Sequence, residues 1–198
     1  MPKLIVTEWT TLDGVVQAPA SPGEDTSGGF QHGGWHAPHF GDDMFRKSTI
    51  DTIAAAGGYL FGRRTYELFA AYWPNAPEEE KAFAQPLNSR PKYVASTTLA
   101  TPLVWQNATV LRGNVAEAVA ALKQQSAGDL LVFGSTELVP TLIEHNLVDE
   151  LRLMIDPVVV GGGKRIFRDD GVLRRLRLVE SRVTPTGAIL ATYAPSRN

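Results

Sequence analysis

Apolar positions in this chain of 198 residues come in short runs set between stretches of helical period. Leu4 to Thr10 reads as a strand that runs into the turn-like Leu12-Asp13-Gly14. From Gln17 to Gly41 neither period holds; Gly, Pro, Ser and His dominate, which marks a functional or disordered loop. Phe30, Trp35 and Phe40 within it argue for order, because such rings gain by burial. A helix is predicted from Asp42 to Ala56, with Phe45, Ile50, Ile53 and Ala54 on its apolar side and Asp42 or Asp43 as its cap. Tyr59 to Phe61 is a short strand, Thr65 to Tyr72 a helix stopped before Pro74, and Glu78 to Leu87 a charged helix.

Further on, Lys92 to Ser96 and Thr109 to Arg112 read as strands. Asn114 to Gln125 is a helix, with Asn114 as cap and Glu117 placed for a capping box. Leu130 to Phe133 is a strand ending at Gly134, and Glu137 to His145 a helix. Leu151 to Val160 is an apolar run interrupted by Asp156-Pro157. Leu176 to Thr184 and Ala188 to Tyr193, joined by Pro185-Thr186-Gly187, form a hairpin. Strands alternating with helices, followed by a β-rich end, predict one α/β domain with a mostly parallel sheet and an antiparallel edge.

Composition narrows the field. A net charge of −2 leaves no electrostatic footprint for nucleic acid or an anionic membrane, and no apolar stretch approaches a bilayer span. The start, Met1 to Val6, runs straight into a strand and lacks a signal-peptide pattern, so a cytoplasmic location is expected. The absence of cysteine removes disulfides, thiol nucleophiles and Cys-ligated zinc.

Three strand ends carry residues suited to one extended anionic ligand. Gly62 is followed by Arg63, Arg64 and Thr65; the strand at Lys92 by Ser96, Thr97 and Thr98; and Phe133 by Gly134, Ser135 and Thr136. In open α/β sheets ligands sit beyond the carboxyl ends of strands. Gly134 allows close backbone approach, so a pyrophosphate could rest on the N–H groups of Ser135 and Thr136. Arginines grip phosphate through forked donors, and two of them favour NADPH, whose 2′-phosphate needs cations. Each segment alone also has a purely structural reading, since Ser and Thr are ordinary helix caps; their conjunction favours a nucleotide.

In this order of segments the chain resembles the dihydrofolate reductase superfold. It is more closely similar to the reductase domain of bacterial bifunctional riboflavin-biosynthesis deaminase-reductases. The matching pieces are Thr11-Leu12-Asp13-Gly14, Gly62-Arg63-Arg64-Thr65-Tyr66-Glu67, Val132-Phe133-Gly134-Ser135, Asp149-Glu150-Leu151-Arg152-Leu153 and Pro157-Val158-Val159-Val160-Gly161. The resemblance implies a three-layer fold with a mixed, mostly parallel central sheet, flanking helices and a C-terminal antiparallel hairpin. It implies NADPH, with the adenosine phosphate at Arg63, Arg64, Thr65, Ser96, Thr97 and Thr98. Pyrophosphate contacts fall at Phe133, Gly134, Ser135, Thr136, Glu137 and Leu138, and the nicotinamide lies against Val15, Val16 and Gln17. Gly161 to Lys164 belongs on the substrate side, and a homodimer is implied.

The implied activity is hydride transfer to a small heteroaromatic or carbonyl/imine substrate, as in 5-amino-6-(5-phosphoribosylamino)uracil reductases. The chain departs from dihydrofolate reductases after Trp35-His36-Ala37-Pro38, where His39 and Phe40 stand in place of the pteridine-binding acid; Asp42 or Asp43 could substitute. Without zinc ligands of the cysteine type, it could do the reductase half at most. Two alternatives remain: a non-catalytic NADPH-binding or small-molecule-binding module, and a true dihydrofolate reductase.

A proton donor must reach the substrate within hydrogen-bond range. Asp13 is the first candidate, beside a purely local turn role. Glu8 is read as an exposed sheet-face residue. Trp35 and Phe40 could wall a planar substrate. His32, His36 and His39 are read as substrate-loop or surface histidines and not as metal ligands, because the intervening Gly and Pro give no converging geometry.

Overall fold

A computed structural model describes residues 1–196. Its eight-stranded sheet has the order β4-β3-β2-β5-β1-β6-β8-β7. The strands are β1 (Leu4–Thr11), β2 (Gly58–Gly62), β3 (Lys92–Ala95), β4 (Ala108–Leu111), β5 (Leu130–Phe133), β6 (Glu150–Asp156), β7 (Leu176–Val183) and β8 (Ile189–Pro195). The helices are α1 (Asp43–Ala55), α2 (Arg63–Tyr72), α3 (Lys81–Ser89), α4 (Val115–Gln125) and α5 (Leu138–Glu144). No helix among the described residues is long and apolar enough to cross a membrane.

The chain divides into two compact units, Met1–Val6 with Thr49–Asp149, and Thr7–Ser48 with Glu150–Asn198. In the first, β2 pairs in parallel with both β3 and β5, and β3 in parallel with β4. Its core gathers Ile5, Ile53, Tyr59, Phe61, Tyr66, Leu87, Val94, Trp105 and Leu131. Lys92 is fully buried there, and its Nζ donates to the carbonyls of Leu87, Asn88 and Arg90 and lies 4.6 Å from the Trp105 ring centre. It thereby satisfies carbonyls that the end of α3 leaves open. Helix α4 is capped by Asn114 as expected, whose Oδ1 accepts from Ala116 N and Glu117 N.

In the second unit β8 pairs antiparallel with β6 and β7, and Trp9, Phe45, Met154, Ala188 and Leu190 pack together. Three expectations shift. Residues 78–80 form a separate short turn of 3-10 helix before α3 begins at Lys81. β6 ends at Asp156, because Pro157 offers no N–H to continue a ladder. The long loop is ordered around two short 3-10 turns, Ser27–Gly29 and Ala37–His39.

Candidate functional site

In the first unit, parallel pairing brings the carboxyl ends of β3, β2 and β5 to one edge of the sheet. Helix α2 opens at Arg63 directly after Gly62 with no side-chain cap. Its first turn therefore keeps backbone donors at the positive end of the helix dipole. Gly134 and Ser135 both adopt positive φ, +63° and +73°. That turn carries the Ser135 hydroxyl to the neighbouring strand end, where Oγ accepts from Gly62 N at 2.8 Å and lies 3.1 Å from Thr65 Oγ1. The loops after β2 and β5 are thus tied by one hydroxyl.

The loop after β3 is tied in as well. Arg63 donates through Nη1 to Thr98 Oγ1 and through Nε to Glu67 Oε1, each at 2.8 Å. Ser96 Oγ accepts from Thr98 N and Leu99 N, and Arg112 holds the carbonyls of Thr97 and Leu99 at 2.8 and 2.6 Å. Arg112 was legible in the sequence only as a strand end; what makes it a brace is the parallel β3–β4 pairing. Arg64, Thr97 and Glu137 are exposed at this edge. Leu138 is different: its N–H goes to Ser135 O at 2.8 Å and its side chain is buried, so it serves α5 and not a ligand. The ring of Phe133 packs on the core of the unit and near Phe69.

An uncapped helix start, two guanidinium groups and hydroxyls at Thr65, Thr97 and Thr136 fit the phosphates of a dinucleotide.

In the second unit, Asp13 is saturated. Thr11 Oγ1 donates to Oδ1 at 2.6 Å, Val160 N at 3.2 Å, and Gly161 N to Oδ2 at 2.9 Å. The Thr11 hydroxyl, followed by the two backbone donors, holds its carboxyl down at about 2. A group ionised at neutral pH with its lone pairs occupied clamps a loop and does not donate a proton; the proton-donor expectation for Asp13 gives way to that local role. Gly161 is the clamped residue.

Val15 and Val16 point into the core, and Gln17 is buried with its amide spent on Asp25 O, Ser27 O and Lys164 N. Their side chains are structural, and the backbone is bonded too: Val15 N–H donates to Thr11 Oγ1 and Val16 N–H to Lys164 O. Around them lies a cavity of about 430 Å³ lined by Gln17, Ser27, Phe30, His32, Gly163 and Lys164. That is the size of small-molecule sites, roughly 300–1,000 Å³. Gly163 has φ +118°, and a Cβ there would sit 2.8 Å from the Phe30 ring and 3.0 Å from Val15 Cγ1. A side chain there would have to displace the Phe30 ring and would be strained at that φ. Lys164 Nζ binds Asp25 Oδ2 at 2.8 Å.

The expected aromatic wall is partly present. Phe40 is 41 % exposed and Trp35 bonds Gln17 O through Nε1. Asp42 is taken: Oδ1 caps α1 at Met44 N and Phe45 N, and Oδ2 accepts from Thr186 Oγ1. It therefore does not replace the missing pteridine acid. Two of the three loop histidines are buried, against the surface reading. His36 stacks on Trp9 with centroids 4.2 Å apart and pairs with Asp156 at 2.8 Å, while His39 bonds Thr186 at 2.8 Å.

Glu8 also departs from its expectation. It is 5 % exposed, and its Oε1 has no hydrogen-bond partner among the described residues. Burial first, then the nearby Glu24 charge, push its carboxyl up to about 8. A strand position alternates between faces, so sequence alone did not tell whether its side was covered.

Residues 2–190 match the RibD C-terminal domain family. The chain is 34 % identical over 146 residues to the uncharacterized protein YyaP of Bacillus subtilis, spanning 73 % of each. Its fold is that of a putative riboflavin biosynthesis protein from Shewanella, with a TM-score of 0.70, 20 % identity and coverage of 98 % and 99 % of the two chains. A pyrimidine reductase-like protein from Corynebacterium diphtheriae superposes with a TM-score of 0.69 at 15 % identity, over 100 % of this chain and 93 % of that one. The chain belongs to the RibD C-terminal domain family.

Proposed function

We propose that this protein is an NADPH-dependent reductase acting on a small heteroaromatic or carbonyl/imine compound. The observation that carries the reading is the first unit's knitted edge, where the uncapped start of α2 sits with Arg63 and Arg64. Arg63, Arg64, Thr65 and Thr97 would hold the 2′-phosphate, and the turn at Gly134, Ser135 and Thr136 the pyrophosphate. A bound dinucleotide would supply hydride, and these residues would orient it. Family membership supports a reductase, and the cavity beside Phe30 and Lys164 is the chamber we assign to the substrate.

The chain's own groups in the second unit have distinct tasks. The Asp13 carboxylate fixes the backbone at Gly161, and the Asp25–Lys164 pair fixes the opposite loop, so the walls are set before a ligand arrives. Glu8 is a carboxyl that keeps its proton at neutral pH. A cytoplasmic location accords with this chemistry.

Calorimetric titration with NADPH and, separately, NADH tests the assignment. Micromolar NADPH binding with much weaker NADH is expected; no binding of either sinks it. The full occupation of Asp13 favours a second reading, an NADPH-binding module without turnover. Tight NADPH that no electron acceptor oxidises would select it. Turnover of dihydrofolate would instead revive a true dihydrofolate reductase, for which neither Phe40 nor Asp42 supplies the acid.

A further inference from the structure

Lys164 lines the chamber assigned above to the substrate, yet its ammonium is already engaged. Nζ lies 2.8 Å from Oδ2 of Asp25, a residue that is not part of the chamber wall. Only 27 % of the lysine side chain and 21 % of the aspartate's are exposed. The Lys164 backbone N–H is spent as well, donating to Gln17 Oε1 at 2.9 Å.

Asp25 is built to stay where it is. Its Oδ1 accepts from Ser27 N at 3.0 Å and from Ser27 Oγ at 2.6 Å, which leaves Oδ2 for the lysine. Its carbonyl accepts from the Gln17 amide at 3.0 Å. Desolvation opposes its charge, but Lys164 and Ser27 outweigh that and hold the carboxyl down at about 2. The positive charge of Lys164 is therefore matched throughout the neutral range.

Little else in the wall could attract an anion. Of the other residues that line the chamber, His32 alone can turn positive, and its exposed ring stands edge-on to Phe30 at 5.9 Å. Glu24 adds a second carboxyl in the same loop, close enough to Asp25 for their charges to interact. A phosphate or carboxylate entering here would have to take Nζ from a partner tethered in the same chain, which competes at high effective concentration. It would also leave the Asp25 carboxylate unpaired beside it. An uncharged compound meets no such penalty, and the Phe30 ring against Gly163 offers it contact without charge.

We propose that Asp25 is a specificity-determining residue. By masking Lys164 it bars compounds that carry a phosphate or carboxylate, and it limits the chamber to substrates without an anionic group. This rests on the reading of the cavity as the substrate chamber, and it separates the substrate of this chain from the phosphoribosylated one that the resemblance implies.

Inorganic phosphate is the probe that tests it. Phosphate is titrated into isotope-labelled wild type, Asp25→Asn and the double variant Asp25→Asn/Lys164→Gln, at about pH 8, where a free imidazole is neutral. The backbone amides of Gly162 and Gly163 are followed by NMR. Amides at Gly62 and Gly134 report phosphate at the proposed dinucleotide edge separately. In wild type the chamber amides should stay still. Asp25→Asn keeps an oxygen for Ser27 N but frees Nζ, so its chamber amides should shift saturably, with phosphate bound about tenfold or more tightly than in wild type. The double variant should lose those shifts. Circular dichroism checks each fold, and Asp25→Ala takes the place of Asp25→Asn if the amide disturbs the loop. Saturable shifts at Gly162 and Gly163 in wild type overturn the proposal. A chamber that stays silent once Asp25 is replaced, or shifts that survive in the double variant, overturn it equally. The NADPH titration reports on the reductase reading alone: its failure would leave a phosphate response unmasked by Asp25→Asn standing.

Discussion

The Ser135 hydroxyl accepts the Gly62 backbone N–H at 2.8 Å across 73 residues of sequence. One oxygen thereby locks the ends of two neighbouring parallel strands, β2 and β5. Ser135 also sits at φ +73°, a conformation that non-glycine residues adopt rarely. Replacing it with alanine keeps the unfavourable backbone and removes the tie. Thermal unfolding should show a loss of about 1 kcal/mol. NADPH affinity should fall with it; a variant that binds NADPH as wild type does would show that the tie is not needed to shape the edge.

Arg63 and Arg64 carry the cofactor preference in the proposed reading. With both replaced by alanine, NADPH should weaken by more than about a hundredfold, since each lost charge-assisted contact costs about 1.5–3 kcal/mol, roughly tenfold to a hundredfold apiece, while NADH changes little. Equal losses for the two cofactors, measured by calorimetry, would remove the 2′-phosphate from this pair. Arg63 is also bonded to Thr98, so a general loosening of that loop would appear as a fall in both.

Glu8 should make stability depend on pH in the basic direction. Its carboxyl ordinarily titrates near 4.5 and is pushed up to about 8 in the fold. The folded state therefore holds a proton that the unfolded chain has released. The resulting stabilisation is fully present below pH 4.5 and is lost as pH rises through 8. Glu8→Gln cannot ionise and should escape this loss. Denaturant titrations at pH 5 and pH 9 should show the variant gaining on wild type by roughly 3–5 kcal/mol between them. Parallel curves would mean that water reaches Glu8 freely.

Asp13 behaves oppositely. The Thr11 hydroxyl and the N–H groups of Gly161 and Val160 favour its charged form, so its contribution is present above its ordinary 3.8 and fades as pH falls toward about 2. Asp13→Asn swaps an acceptor for a donor facing those N–H groups. It should cost about 2 kcal/mol at neutral pH, and speed amide hydrogen exchange at Val160 and Gly161. Unchanged exchange there would dissolve the clamp.

Local signals settled much of this fold in advance. The glycines at 62 and 134, the cap at Asn114 and the hairpin turn at Pro185-Thr186-Gly187 act over a few residues, and backbone conformation there follows from the residues themselves. The conjunction of Gly62-Arg63-Arg64-Thr65 with two hydroxyl-bearing strand ends likewise made the proposed phosphate site legible, because each piece is contiguous in sequence. Family membership was visible in the same motifs.

What the sequence left open depends on which groups meet across long separations. Asp13 and Gly161 are 148 residues apart, and the turn that looked like a proton donor becomes a clamp only when they touch. Glu8, His36 and His39 show no periodic sign of burial; they are enclosed by the packing of segments from opposite ends of the second unit. Chain order determined the elements and the proposed phosphate edge, whereas desolvation and long-range hydrogen bonding, which need the assembled fold, decided what each polar side chain is free to do.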